Sequence, residues 1–178
     1  MLPNLSLVLG GASSGKSGFA ERLAISTGLP KVYIATAQAF DAEMTAKIAA
    51  HKKMRGSGWM DVEAPNDLAN ALYLTKPGTV VLVDCATMWL SNRLLAEADL
   101  DAESRALVAA CAACAGTVVV VSNEVGMGIV PDNALARRFR VAQGQLNQHL
   151  AQRADLVVAV MAGLPLALKG ALPVQVTP

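Results

Sequence analysis

Residues with the types and spacing for phosphate chemistry occur in two stretches of this 178-residue chain. The first is Gly10-Gly11-Ala12-Ser13-Ser14-Gly15-Lys16-Ser17, a full match to G-x-x-x-x-G-K-[ST]. Gly10 and Gly15 let the backbone curl until successive N–H groups point inward at anionic oxygens. The helix that starts there adds the positive end of its dipole. Lys16 places one ammonium between β- and γ-phosphates, and the Ser17 hydroxyl reaches a Mg²⁺ ion. These residues predict binding of a nucleoside triphosphate. The second stretch centres on His51, with Lys47, Lys52, Lys53 and Arg55 around it. Cationic neighbours lower a histidine's pKa and keep neutral imidazole available at pH 7. A neutral imidazole attacks phosphorus while the lysines hold a triphosphate beside it. The residues alone leave another reading open. Met44, Ile48 and His51 share one helical stripe, and a histidine so placed is most often a partly buried packing residue. His149, in a long helix of mixed polarity, reads as structural or solvated.

Further candidates follow the ends of apolar runs. Asp84 comes directly after Val80-Val81-Leu82-Val83. Beside a phosphate loop it is a holder of Mg²⁺; alone it is equally an N-cap for the next helix. In Ala35-Thr36-Ala37 a hydroxyl and backbone amides either contact a nucleotide or acceptor, or form a helix-entry turn. In Asn123-Glu124-Val125-Gly126-Met127-Gly128-Ile129-Val130-Pro131 the glycines permit a tight loop near a ligand. There Glu124 positions an attacking hydroxyl or orders a water, or is an exposed carboxylate on a connecting loop. The loop lacks the Asn-Lys-x-Asp pattern, so guanine specificity does not follow from it. Arg137, Arg138 and Arg140 stabilise a transferring phosphoryl group or form a solvated face.

Positioning these groups requires alternating elements. Short runs rich in Val and Ile predict strands at Leu5–Leu9, Lys31–Ala35, Thr79–Val83, Thr117–Ser122 and Leu156–Met161. Helical patterns fall at Lys16–Ser26, Asp41–Met54, Asn66–Leu74, Met88–Ala96, Ala102–Ala115 and Asn133–Arg153. Candidate N-caps are Asn66, Asp101 and either Asp132 or Asn133. The alternation predicts one α/β domain over residues 1–178, a phosphate-loop NTPase fold. Its sheet is mostly parallel, with helices on both faces. Ligands then sit at the carboxyl ends of the strands. Beyond Gly163, with Pro165, Pro173 and Pro178, the tail reads as irregular.

Bulk numbers narrow the partners. Fifteen basic and 14 acidic side chains give a net charge of +1, which offers no electrostatic reason for nucleic acid or an anionic membrane. Hydrophobic residues make up 53% and charged ones only 16%, which favours copies of the chain covering one another. No apolar run reaches the length of a membrane span. The N-terminal run lacks a basic leader, so no secretory signal is expected. The three cysteines, Cys85, Cys111 and Cys114, are expected as reduced thiols in a cytoplasm. Cys111 and Cys114 read as small residues near the end of an Ala-rich helix rather than half of a metal site.

Taken together, several strings resemble one known family. They are Gly10–Ser17, Tyr33-Ile34-Ala35-Thr36-Ala37, Asp41-Ala42-Glu43-Met44 leading to Ile48 and His51-Lys52, Val83-Asp84-Cys85, Asn123–Pro131, Leu135–Arg140 and Asn147-Gln148. The chain resembles the bifunctional adenosylcobinamide kinase / adenosylcobinamide-phosphate guanylyltransferases of cobalamin biosynthesis. The match spans nearly the whole chain, and Asn123–Pro131 is its most specific part. The resemblance implies two reactions. A nucleoside triphosphate, ATP or GTP, phosphorylates the aminopropanol hydroxyl of adenosylcobinamide. GTP then transfers GMP to that phosphate through a guanylylated histidine, which corresponds to His51. Implied nucleotide contacts are Gly10–Ser17, Ala35, Thr36, Ala37, Lys52, Lys53, Met54, Arg55, Glu63 and Asp84, with Mg²⁺ on Ser17 and Asp84. The resemblance also implies a homo-oligomer, a trimer. Some relatives carry Arg where Ser13 stands and Glu where Asp84 stands. A plain small-molecule kinase of the same fold, or a nucleotide-switched regulatory ATPase, would use the loop and leave His51 inert.

Overall fold

The computed structural model describes residues 2–38 and 55–176. Seven strands form one sheet in the order β3-β2-β4-β5-β1-β6-β7. They are β1 (Leu5–Gly10), β2 (Lys31–Ala35), β3 (Trp59–Glu63), β4 (Val80–Asp84), β5 (Thr117–Asn123), β6 (Leu156–Met161) and β7 (Leu164–Lys169). All neighbours pair in parallel except β6 and β7. The helices are α1 (Lys16–Ile25), α2 (Leu68–Tyr73), α3 (Ala86–Leu95), α4 (Leu100–Ala113) and α5 (Ala134–Arg153).

Continuous apolar runs make the inner strands. Val80 to Val83 are all fully buried, because parallel strands are covered on both faces. One face packs Leu68 and Leu72 of α2, Trp89 and Leu90 of α3, Leu107 and Ala110 of α4, and Leu146 and Leu150 of α5. Among the described residues the other face packs Phe19, Ala20, Leu23 and Ala24 of α1, with Val176 of a final 3₁₀ turn. Each fully buried Leu or Val side chain contributes about 1.5–3 kcal/mol.

The sheet is larger than the apolar runs predict. Trp59-Met60-Asp61-Val62-Glu63 is an edge strand beside β2, and its exposed carboxylates hide it from a search for buried runs. The tail expected to be irregular instead forms β7. Ala162 (φ 52°) and Gly163 (φ 79°) make the two-residue left-handed turn that suits a hairpin, and Met161 pairs with Leu164. Pro165 is tolerated because β7 is an edge. Asp99, not Asp101, caps α4, accepting from Asp101 N and Ala102 N at 3.1 Å each. Asp101 instead pairs with Arg105 one turn on. Asp67, not Asn66, precedes α2. Asn133 caps α5 by accepting from Ala136 N at 2.7 Å. Cys111 is buried in α4 and Cys114 lies just past its end, both as free thiols. Burial pushes the Cys111 thiol up to about 12. The expected helix Asp41–Met54 lies outside the described residues.

Candidate active site

The phosphate loop is shaped by backbone. β1 ends at Gly10 and α1 begins at Lys16. Between them Ser13 (φ 54°) and Gly15 (φ 90°) are left-handed, and Ser14 N donates to Gly11 O at 3.3 Å. A Cβ on Gly10 would stand 2.3 Å from Ser14 Oγ and 2.7 Å from the Val160 carbonyl, so only glycine fits. The hairpin turn braces the loop, with Gly163 N donating to Ser14 O at 2.9 Å. Lys16 Nζ donates to Gly11 O at 3.1 Å, which ties the ammonium to the loop it serves. Ser14 Oγ is buried and, among the described residues, has no hydrogen-bond partner. An orphaned hydroxyl in such a cradle suits an anionic ligand.

The ends of β2, β3 and β4 are shaped by side chains instead. Ala35 pairs with Asp84 on one side and Glu63 on the other, so the three lie in one row along the carboxyl edge. Asp84 is level with Val121, and Val121 with Val8. Two strand spacings, roughly 10 Å, therefore separate Asp84 from β1. Tyr33 donates its hydroxyl to Asp84 Oδ2 at 3.2 Å. Burial, and next the Asp84 charge, push the Tyr33 pKa well above the usual phenol value, so it stays a donor. Arg55 stacks 3.5 Å from the Tyr33 ring centroid and pairs with Asp61 at 2.5 Å, its side chain only 4% exposed.

Thr36 is a strut between β2 and β4. Its hydroxyl accepts from Cys85 N at 2.8 Å and donates to Cys85 O at 2.7 Å. Its N–H donates to Asp84 O at 3.3 Å. Its carbonyl accepts from Asn92 Nδ2 at 2.9 Å, and the same nitrogen donates to Pro65 O at 2.8 Å. All of its polar groups are thus engaged inside the protein. Burial, reinforced by the Asp84 charge, pushes the neighbouring Cys85 thiol up to about 11.

The third component is the loop leaving β5. Gly10 pairs with Asn123, and Glu124 N donates to Gly10 O at 3.1 Å, so this loop starts against the phosphate loop. Buried polar groups hold its root. Ser122 Oγ donates to Asn147 Oδ1 at 2.6 Å, Gln143 Nε2 donates to Ser122 Oγ at 2.9 Å, and Asn147 Nδ2 donates to Asn123 O at 3.0 Å. Thr87 Oγ1 accepts from Asn123 N at 2.7 Å. Glu124 turns its carboxylate back to Gly126 N. Arg137 donates to Pro131 O at 3.0 Å and Asp132 O at 2.6 Å. Arg140 donates to Ile129 O at 3.1 Å and to Gly126 O. These two arginines therefore hold the loop, and Arg138 is exposed.

The structure brings Lys16, Ser17, Ala35, Ala37, Glu63 and Asp84 to one edge of the sheet. It places His149 on the last turns of α5, at the amino end of the strands. His51, Lys52, Lys53 and Met54 lie outside the described residues. Ser17 and Asp84 supply a hydroxyl and a carboxylate, hard oxygen donors of the kind Mg²⁺ takes. Among the described residues no group of three or more His, Cys, Asp and Glu side chains gathers as a metal cage. A two-donor set fits an ion that draws its other oxygens from phosphate and water. Sequence reasoning missed the roles of Tyr33 and Asn92. A phenol in an apolar strand and an amide on an apolar helix face were the available signals. Among the described residues no helix is long and apolar enough to cross a membrane.

Comparison with known proteins identifies the family. The profile of the family described as cobinamide kinase / cobinamide phosphate guanyltransferase matches residues 6–168. The bifunctional adenosylcobalamin biosynthesis protein CobP of Pseudomonas aeruginosa PAO1 is 46% identical over 167 residues, covering 92% of this chain and 96% of that protein. The bifunctional adenosylcobalamin biosynthesis protein CobU of Escherichia coli K12 is 40% identical over 179 residues, covering 92% of this chain and 98% of that protein. A solved structure from Pyrococcus horikoshii OT3 shares the fold at a TM-score of 0.51 and 11% identity, covering 98% of this chain and 89% of that one. The chain belongs to the cobinamide kinase / cobinamide phosphate guanyltransferase family.

Proposed function

We propose that this enzyme phosphorylates adenosylcobinamide with ATP or GTP and then transfers GMP from GTP to the product, giving adenosylcobinamide-GDP. In the first step the aminopropanol hydroxyl attacks the γ-phosphorus and a nucleoside diphosphate leaves. In the second, a nitrogen of the His51 imidazole attacks the α-phosphorus of GTP and pyrophosphate leaves. The acceptor's phosphate then displaces the imidazole. A covalent phosphoramidate divides one difficult exchange into two easier displacements.

The phosphate cradle of Gly10–Ser17 is the observation that carries this reading. Lys16 would neutralise charge between β- and γ-phosphates. Ser17 and Asp84 would hold Mg²⁺, which supplies charge neutralisation on the phosphates when bound. Tyr33 fixes one Asp84 oxygen at 3.2 Å and so orients the carboxylate. Ala35, Ala37, Lys52–Arg55 and Glu63 are the further proposed nucleotide contacts; Thr36, fully buried with its polar groups engaged, serves as a strut instead. Arg55, four residues after His51 in sequence, packs on Tyr33.

We further take the enzyme to be a cytoplasmic homotrimer. Supporting an oligomer are Leu164, Leu166 and Leu168, 64%, 59% and 59% exposed along the β7 edge. The experiment that tests the two-step reading is His51→Ala. Phosphorylation of adenosylcobinamide is expected to persist and guanylyl transfer to vanish. Loss of both activities in a folded variant would contradict the separate roles.

A further inference from the structure

The kinase reading leaves open where a bulky acceptor rests. Strand order gives the direction. β5 lies between β1 and β4, so the loop leaving β5 starts between the phosphate loop and Asp84. A phosphoryl group served by both Lys16 and Asp84 is reached from that side. The loop there exposes an unusual set of side chains: Met127 is 87% exposed, Ile129 96% and Val130 70%. An unpinned apolar loop would fold these inward. Here Arg140 and Arg137 hold the carbonyls of Gly126, Ile129, Pro131 and Asp132, and Glu124 holds the Gly126 N–H. The buried Ser122–Gln143–Asn147 cluster fixes the loop's root. Beside it opens a recess of about 430 Å³, with Val130, Pro131, Val141 and Gly144 among its walls. The exposed apolar strip on β7 lies beyond β6 on the far side of the phosphate loop from Asp84.

We propose that the loop Glu124–Val130 is a pre-formed platform for the corrin macrocycle of the acceptor. The ring's apolar face rests on Met127, Ile129 and Val130, and its aminopropanol arm reaches toward the phosphate loop. This inference rests on the kinase reading above. A flat macrocycle carrying a short hydroxyl arm requires an apolar shelf next to an anion cradle. A small polar acceptor does not.

The test is the double variant Met127→Ser/Ile129→Ser, assayed with cobinamide, with free 1-amino-2-propanol and with the triphosphate varied, alongside its mass in solution. KM for cobinamide is expected to rise on the order of tenfold, the size typical of lost apolar substrate contacts. KM for the triphosphate is expected to hold, and turnover of free 1-amino-2-propanol to match that of unaltered protein. An unchanged KM for cobinamide overturns the platform and leaves the kinase reading standing. A drop in assembly mass also overturns it, because the loop is then a contact between copies. Failure of the unaltered protein to phosphorylate any corrinoid sinks the kinase reading, and the platform with it.

Discussion

The two sides of the candidate site reach rigidity by different means. At the end of β1 the backbone does the work. A glycine that can accept no Cβ, left-handed residues at Ser13 and Gly15, and a brace from Gly163 fix the cradle. At the ends of β2 and β4 the backbone is ordinary strand until its last residues, and side chains do the work. Thr36 bridges to Cys85, Asn92 bridges Thr36 to Pro65, and Tyr33 aims Asp84. A backbone cradle must tolerate different nucleotides in one grip. A carboxylate for a metal must point one way, and distant residues aim it.

The largest effect expected is at the cradle. Lys16→Ala should lower kcat/KM of both reactions by about 10³-fold or more, with stability little changed, since one charge that both reactions share is removed. Steady-state kinetics with cobinamide and with its phosphate check this. Loss of only one activity would mean that the reactions use separate grips.

Thr36→Val breaks the second side. It leaves the buried Cys85 N–H and C=O without their partner and should cost about 3 kcal/mol of stability. Asn92→Ala should act in the same direction by about 2–3 kcal/mol, because the Thr36 and Pro65 carbonyls lose their donor. Urea denaturation of each variant reads both numbers. Near-wild-type stability would show that the strut is dispensable.

Tyr33→Phe sharpens the contrast further. Only one hydrogen bond goes, so the stability cost is about 1 kcal/mol. The Mg²⁺ concentration for half-maximal activity should rise several-fold, because Asp84 loses its aim. The triphosphate KM at saturating Mg²⁺ should hold. A variant whose Mg²⁺ requirement is unmoved would remove Tyr33 from the metal's surroundings.

Buried acids give the smallest effect. Burial raises Cys85 from 9.0 to about 11 and Cys111 from 9.0 to about 12. The unfolded chain loses these protons first, so it binds fewer protons than the folded one above pH 9. Stability contributed by each thiol is therefore full below pH 9 and falls as pH rises through the folded value. Denaturation midpoints at pH 8 and pH 10.5 should show that loss, and Cys111→Ala should flatten it. An equal slope with and without Cys111 would contradict its buried, neutral state.

The same contrast explains what the sequence disclosed. The cradle's phosphate-facing groups are local, all within residues 10 to 17, so spacing reveals them, although its brace from Gly163 is distant. Parallel strands with unbroken apolar runs were legible for the same reason. The Thr36–Cys85 bridge joins residues 49 apart and the Asn92–Thr36 bond residues 56 apart. No local pattern announces such a pair. β3 escaped notice because an edge strand needs no buried run. β7 escaped because Pro165, with Pro173 and Pro178 farther on, suggested irregular chain, whereas the hairpin turn at Ala162–Gly163 decides its course. Arg137 and Arg140 show a subtler limit. A cationic cluster near a phosphate loop suggests charge stabilisation, yet both guanidiniums are turned to their own loop's carbonyls.

The central claim is that one cradle serves a covalent transfer through His51. Incubation with GTP labelled at the α-phosphate, followed by digestion and mapping of the modified peptide, tests it most directly. The account predicts acid-labile, base-stable label on His51, discharged by adenosylcobinamide phosphate and absent from His51→Ala. Label on another residue, or no label on protein that completes the transfer, would contradict it.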